Sequence, residues 1–529
     1  MANNGPAMVI LVLLVVSVLS YPAQGGVIEA DVIIVGAGAC GIQAGRTLTE
    51  GGVTNFVIVE ATGKIGGRIR NAPFAGLNIE LGANWVEGVN GKYLNPVVTL
   101  AHEVKLRTFT SLFENATNNI YDENGYVDPS ISQATVDLSN AEFQWVNDFA
   151  VNLTNEGLED ISTMTAQRFF GHVPSTPIDM ALDGFNYDFT TAEPPRINSL
   201  KNTQPLATET YFGPDHYFVA DERGYAIILD PVSSYLTRTN GIITDPRLYL
   251  NTVVNKIEHN LNGNSVTVST ENGLVYKAKA VILTVSIGVL QSKLIEYVPD
   301  LPYWKLSVIF QFDMAVYTKI FLKFPYTFWP VTPGSEYFLY ADEKRGYYPF
   351  WQHLNREFPG QNLVFVTVTD DEARRIEQLP FNDTLAEIMV VMRKMFGPDI
   401  PDATDILYYR WWKDRLFRGT YSNWPIGVST YEYKQLQAPV GRLYFSGEAN
   451  SELFSGYVHG ALLEGESVAK NVIKCLRHKK FCNNLKDNPA LTPPTEACHN
   501  AVKSEQIKAT RKWSKKVDDL QKKLEEQCT

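Results

Sequence analysis

The feature that most constrains this chain is a short apolar run that ends in three glycines. Asp31–Val35 (DVIIV) passes directly into Gly36-Ala-Gly38-Ala-Cys-Gly41. A helical pattern follows, then a second apolar run, Phe56–Val59, that ends in Glu60. Strand, glycine turn, helix, strand and acid in this order predict a dinucleotide-binding unit. Gly36 permits the tight turn, Gly38 lets the backbone approach a pyrophosphate, and Gly41 lets helix and strand pack closely. The helix N-terminus then faces the phosphates. Glu60 falls 19 residues after Gly41, where a carboxylate can bond ribose hydroxyls, so FAD or NAD is favoured over NADP. Immediately downstream, Gly66-Gly67-Arg68 adds backbone donors and a guanidinium fork for the same pyrophosphate.

Composition excludes several classes. The chain has 529 residues, 45% hydrophobic and 20% charged, and so is globular rather than disordered or coiled-coil. A net charge of −11 argues against nucleic acid as the main partner. The charge is uneven: Lys474–Thr529 carries 13 Lys+Arg and 7 Asp+Glu, a surplus of six that leaves −17 on the remainder. An acidic body attracts cationic substrates at long range.

Residues 1–25 read as a signal peptide. Met8–Leu19 is an apolar run of 12 residues, too short to span a bilayer, and Ala23-Gln24-Gly25 offers small residues for cleavage. No other stretch is long and apolar enough to span. A secretory route gives meaning to the sequons at Asn115, Asn152 and Asn382, which should then lie on the surface. Four cysteines cluster at the end, and Cys475 with Cys482 is the expected pair, since both flank the end of a predicted helix.

Beyond the nucleotide unit, the strings Glu60–Arg68, Glu80–Gly88 (ELGANWVEG), Ala192–Arg196 (AEPPR) and Phe312–Phe324 carry a resemblance. It continues through Arg410–Trp412, Gly419–Pro425, Phe445–Glu448 and Gly456–Gly460. Over roughly residues 27–482 the chain resembles the FAD-dependent amine oxidases, and among them the secreted plant-type polyamine oxidases. The fold implied is α/β: a Rossmann-type FAD-binding domain, discontinuous in sequence, with a mixed α/β substrate-binding domain. The FAD domain is expected from residues 27–90, 235–300 and 405–480, and the substrate domain from 91–234 and 301–404. Residues 483–529 lie beyond the resemblance and form a basic tail. Its Trp513, Val517, Leu520 and Leu524 suggest a short amphipathic helix, which could tether the protein to an anionic matrix or surface.

The resemblance also implies roles. Lys319 matches a lysine that bonds through water to flavin N5 and assists reaction with oxygen; alternation places it on one strand face with Tyr317. Tyr421 and Tyr457 would sandwich the reacting amine. Glu87 would hold a distal ammonium at the tunnel mouth, with Trp85 as its wall. Val254 and Glu448 would contact FAD. The matching region Asn450–Tyr457 has no cysteine, so non-covalent FAD is expected, and nothing calls for a metal.

There is one departure. Where the plant-type pattern has an acid and an aromatic, this chain has Thr190-Thr191, and Asp188 could substitute only if the loop shifts. The expected function is a secreted oxidase that takes a hydride from a polyamine-type amine onto FAD and then reduces O2 to H2O2. The alternatives are the same chemistry on an L-amino acid or monoamine, or a non-catalytic matrix or binding protein that kept the fold.

Overall fold

The computed structural model describes residues 26–261, 263–478 and 482. The expected signal peptide and basic tail lie outside the described residues.

Val27–Val35 is the hinge of the larger sheet. It runs parallel to Phe56–Val59 on one side and to Val275–Leu283 on the other. Leu443–Phe445 adds in parallel to Val275–Leu283. Both faces of the first strand are covered. Val32 and Ile34 enter one core with helix Ala39–Glu50 and helix Val458–Arg477, while Ile33 and Val35 enter another with Val308, Tyr433 and Leu436. Double coverage explains why the run is continuously apolar rather than alternating. The two helices approach closely at Gly465, where a Cβ would sit 2.3 Å from the Cys40 carbonyl oxygen. Val254–Glu258, Val266–Thr270 and Val275–Leu283 pair antiparallel in succession.

A seven-stranded sheet forms the second layer. Its longest pairing joins Tyr317–Lys323, next to one edge, antiparallel to Leu363–Thr369. Ile320 and Leu322 pack on helices Asp370–Gln378 and Phe381–Phe396, and Phe321 faces the opposite way, toward Phe218 and Phe365. Asp405–Leu407, where the third FAD segment was expected to open, pairs with Tyr317–Lys323 in this sheet. A small sheet joins Trp85–Glu87 and Thr108–Thr110 to His216–Val219. The two layers are tied where Asp313–Ala315 pairs with Tyr421–Asn423.

Cys475 and Cys482 form a disulfide, as expected. Of the sequon asparagines, Asn152 and Asn382 are exposed and Asn115 is half-buried. No helix of the described residues is long and apolar enough to cross a membrane.

Candidate active site

Four parallel strands end at one crevice, so the residues that follow them converge: Gly36, Glu60, Thr284 and Gly447-Glu448 all line a single cavity of about 680 Å³. Crevices at the carboxyl ends of parallel strands are where such sheets take nucleotides. Gly36 has φ +105°, and a Cβ there would lie 2.5 Å from Thr284 Oγ1. At Gly41 a Cβ would meet the Gly36 carbonyl oxygen at 2.0 Å. Only glycine fits either place. Gly38 differs: a Cβ would find nothing nearer than Gly66 O at 3.9 Å. Its bare backbone instead borders the cavity, as a pyrophosphate cradle requires.

Glu60 is fixed by its own loop. One carboxylate oxygen accepts from Ala37 N at 2.7 Å, the other from Thr62 N and Oγ1, both at 2.8 Å. The Gly66-Gly67 turn, at φ +115° and +60°, holds its amide on the Ala37 carbonyl. Arg68 donates to Glu448 at 2.7 Å and to the Thr420 carbonyl at 3.0 Å. Glu448 also accepts from Ser422 Oγ at 2.5 Å and Gly456 N at 2.7 Å. Val254 lines the same space from the neighbouring strand. The bare glycine backbone, the fixed Glu60 carboxylate and the volume of the cavity fit a dinucleotide such as FAD.

The far end of the cavity is aromatic. Trp85, Tyr317, Tyr421 and Tyr457 line it, together with Phe113 and Phe189. Tyr317 and Tyr421 stand 6.1 Å apart between ring centroids, and Tyr421 donates to the Thr190 carbonyl at 3.1 Å. Trp85 is flanked by Phe113 at 6.1 Å and Phe189 at 6.5 Å, and its indole donates to Ser111 Oγ. Tyr457 stacks on His459 at 4.9 Å, and His459 sits between Asn95 and Thr208. Burial drops the His459 pKa to about 3, so Tyr457 rests on a neutral ring. Burial also raises the pKa of all three tyrosines, which therefore stay neutral phenols.

Lys319 stands one layer behind this wall. Its Nζ donates to Gly82 O at 2.9 Å and Asn84 Oδ1 at 2.6 Å, 5.5 Å from the Trp85 ring centre. Gly82, Asn84 and Trp85 line the cavity in front of it. Burial lowers its pKa to about 7, against the opposing pull of Glu80. A neutral amine can make both of these hydrogen bonds and still keep a lone pair.

Glu87 is half-buried on the wall and directly opposite His216 in the strand register. Its Oε2 lies 2.5 Å from His216 Nδ1. Glu209, on helix Ala207–Phe212, lines the same stretch. Asp188 does not take the place of the missing acid beside it. Arg345 clamps both its oxygens, at 2.6 and 2.8 Å, and bridges it to Asp183. Thr190 and Thr191 themselves face the cavity.

Sequence reasoning thus missed His216, Glu209, Phe113, Phe189, Asn84 and His459. Asn84 and His459 lie inside the strings that carried the resemblance. The others are brought in by strand pairing and helix packing that no local pattern displays.

Comparison with known proteins agrees with this geometry. The family model for flavin-containing amine oxidoreductases matches residues 39–473. Polyamine oxidase 1 of Zea mays is 49% identical over 89% of this chain and 95% of its own length. Polyamine oxidase 6 of Oryza sativa subsp. japonica is 51% identical over 85% of this chain and 92% of its own. Among solved structures, a wild-type putrescine oxidase bound to putrescine superposes with a TM-score of 0.67 at 17% identity, covering 85% of this chain and all of the other. The fold is therefore that of the FAD-dependent amine oxidases, and the chain is an enzyme of the flavin-containing amine oxidoreductase family.

Proposed function

We infer that this protein is a secreted oxidase of polyamine-type amines that releases hydrogen peroxide. The observation that carries the reading is one cavity lined by a dinucleotide crevice, a cage of neutral aromatic rings, and a carboxylate–imidazole pair. The reaction is R–CH2–NH–R′ + O2 → R–CH=N–R′ + H2O2. Bound in the crevice, FAD supplies the hydride acceptor and the means of passing both electrons to O2.

The chain's own residues prepare the amine. An alkyl ammonium near pKa ~10.4 costs about 4.6 kcal/mol to deprotonate at pH 7. The aromatic cage lowers that cost because burial disfavours the cation. Tyr317, Tyr421 and Tyr457, held neutral, place no charge beside the reacting nitrogen. Lys319, with its pKa near 7, can hold or release a proton at its Nζ in the working pH range. Glu87 would receive a distal ammonium, an attraction of about 1–4 kcal/mol at 4 Å across surface-like dielectrics.

An L-amino acid would need a cation for its carboxylate. Arg68 is the only Arg or Lys among the described lining residues, and it is committed to Glu448 and Thr420. Non-covalent flavin is supported by Cys40. It lines the crevice, but burial raises its thiol to about 12, so it is no nucleophile at neutral pH. Secretion is supported by the apolar leader, two exposed sequon asparagines and the disulfide.

The deciding experiment is anaerobic addition of spermidine to the yellow purified protein, followed by an aerobic peroxide assay over spermidine, spermine, monoamines and L-amino acids. Bleaching and peroxide with the first two support the reading. Turnover confined to amino acids or monoamines overturns it. Acid denaturation should release all the flavin.

A further inference from the structure

The wall opposite the tyrosines contains more ionisable chemistry than a single carboxylate anchor needs. Antiparallel pairing of Trp85–Glu87 with His216–Val219 sets Glu87 and His216 side by side. At 2.5 Å between Oε2 and Nδ1, a proton must lie between them; the Gly88 N–H, 3.3 Å from the same nitrogen, is the weaker contact. The Phe113 ring lies 5.6 Å from the imidazole and shields it from solvent. Glu209 faces the pair from helix Ala207–Phe212; burial and Glu87 raise its carboxyl pKa, and His216 pulls it back down. Asp215 immediately precedes the strand His216–Val219, and Glu114 lines the cavity from the turn Phe113–Asn118.

We propose that His216 competes with the substrate's distal ammonium for the Glu87 carboxylate, and that Glu209 supplies a second negative charge to the same subsite. The two residues then set the selectivity for multiply charged amines, in a place where Thr190 offers no acid. This rests on the polyamine reading above.

The competition has a sign. An imidazolium on Glu87 cancels the charge an ammonium would use. A neutral imidazole leaves that charge to the substrate. Burial alone would lower the His216 pKa, but Glu87, Glu209 and Asp215 outweigh it and raise the pKa above the ordinary histidine value. Through this pair, acidification should weaken substrate binding. His216 is a positioning residue here, acting through Glu87.

The test is the KM of spermidine from pH 5.5 to 8.5 for the wild-type holoenzyme, His216→Gln and Glu209→Gln. Ionisation of spermidine itself is common to all three. Wild-type KM should rise on acidification. His216→Gln should flatten that rise and bind spermidine at least about threefold more tightly than wild type at pH 6, with kcat within about twofold. Glu209→Gln, on a separate element, should raise the spermidine KM at least about threefold across the range with kcat likewise preserved. A His216→Gln profile that superimposes on wild type overturns the proposal. So does a loss that falls on kcat, which marks a structural role. If wild type oxidises no polyamine, the functional reading falls and this inference with it. If wild type turns over spermidine but neither variant moves KM, this inference alone is overturned.

Discussion

Arg68 and Glu448 are 380 residues apart in sequence and meet at 2.7 Å, closing the crevice between the first and last parallel segments of the nucleotide sheet. Glu448 is almost fully buried and accepts from Arg68, Ser422 and the Gly456 amide. Its charge organises the segment that carries Tyr421 and the turn that carries Tyr457. Glu448→Gln keeps the shape and removes the charge, leaving Arg68 without its counter-ion. Breaking such a pair costs about 3 kcal/mol or more. The variant should purify with substoichiometric flavin and a lowered Tm. Full flavin content and an unchanged Tm would show that the pair does not hold the crevice together.

Lys319→Met should retain FAD, since Nζ touches Gly82 and Asn84 behind the cavity wall. Turnover should fall at least tenfold, about 1.4 kcal/mol of barrier. Unchanged turnover would remove Lys319 from the chemistry. Stability offers a second reading. The folded-state pKa is about 7, well below the usual lysine value of 10.5. Between those two values the unfolded chain binds a proton that the folded one does not, so this residue makes wild-type stability rise with pH. The cost of burying the ammonium is in full force below pH 7. The Tm of Lys319→Met relative to wild type should therefore be higher at pH 6 than at pH 9. The same difference at both values would place the lysine pKa elsewhere.

How far the site could be read from sequence depended on whether its contacts were local. The glycine turn could be read because Gly36 and Gly41 act on their own backbone and on adjacent strands, and both stand where only glycine fits. Cys475 and Cys482 lie close enough along the chain to be paired by proximity. The Glu87–His216 pair could not be foreseen, because a strand register between segments 129 residues apart has no signature in either one. Asp188 could substitute for the missing acid only if its loop shifted, and no local pattern shows that Arg345, 157 residues away, occupies both its oxygens. Alternation correctly grouped Tyr317 with Lys319, yet only the packing of Gly82 and Asn84 reveals that one lines the cavity and the other stands behind it.

That clamp makes Asp188 testable. Asp188→Asn weakens the fork of Arg345 and leaves a half-buried guanidinium with Asp183 as its remaining carboxylate. The Tm should fall, by the equivalent of about 3 kcal/mol. The ratio of kcat/KM between spermidine and spermine should hardly change. A selective loss with the longer amine would mean that the loop does shift to present Asp188 to substrate.

Glu87→Gln should cost triamines and tetramines more than monoamines, read either as turnover or as competitive inhibition. The carboxylate sits with His216 on the cavity wall, away from the glycine turn that would hold the dinucleotide, so flavin content should not move. Equal losses across the amine classes would identify a structural carboxylate.

The last prediction concerns the basic segment after Cys482. Residues 483–529 include Lys503, Lys508, Arg511, Lys512, Lys515, Lys516, Lys522 and Lys523 around a thin apolar stripe. Two heptads make a marginal helix by themselves. Among the described residues, every one that lines the crevice and the aromatic cage precedes position 462. Truncation after Cys482 keeps the disulfide with Cys475 that fastens the end of helix Val458–Arg477. Flavin content and amine turnover should therefore stay within about twofold, since a change of that size is under half a kcal/mol of barrier. Removal should also abolish salt-sensitive retention on an anionic column, because exposed charges are screened beyond ~8 Å at physiological ionic strength. A truncated protein that loses its flavin or its turnover would show that the tail belongs to the catalytic fold, and one that stays on the column would show that the acidic body itself carries the binding patch.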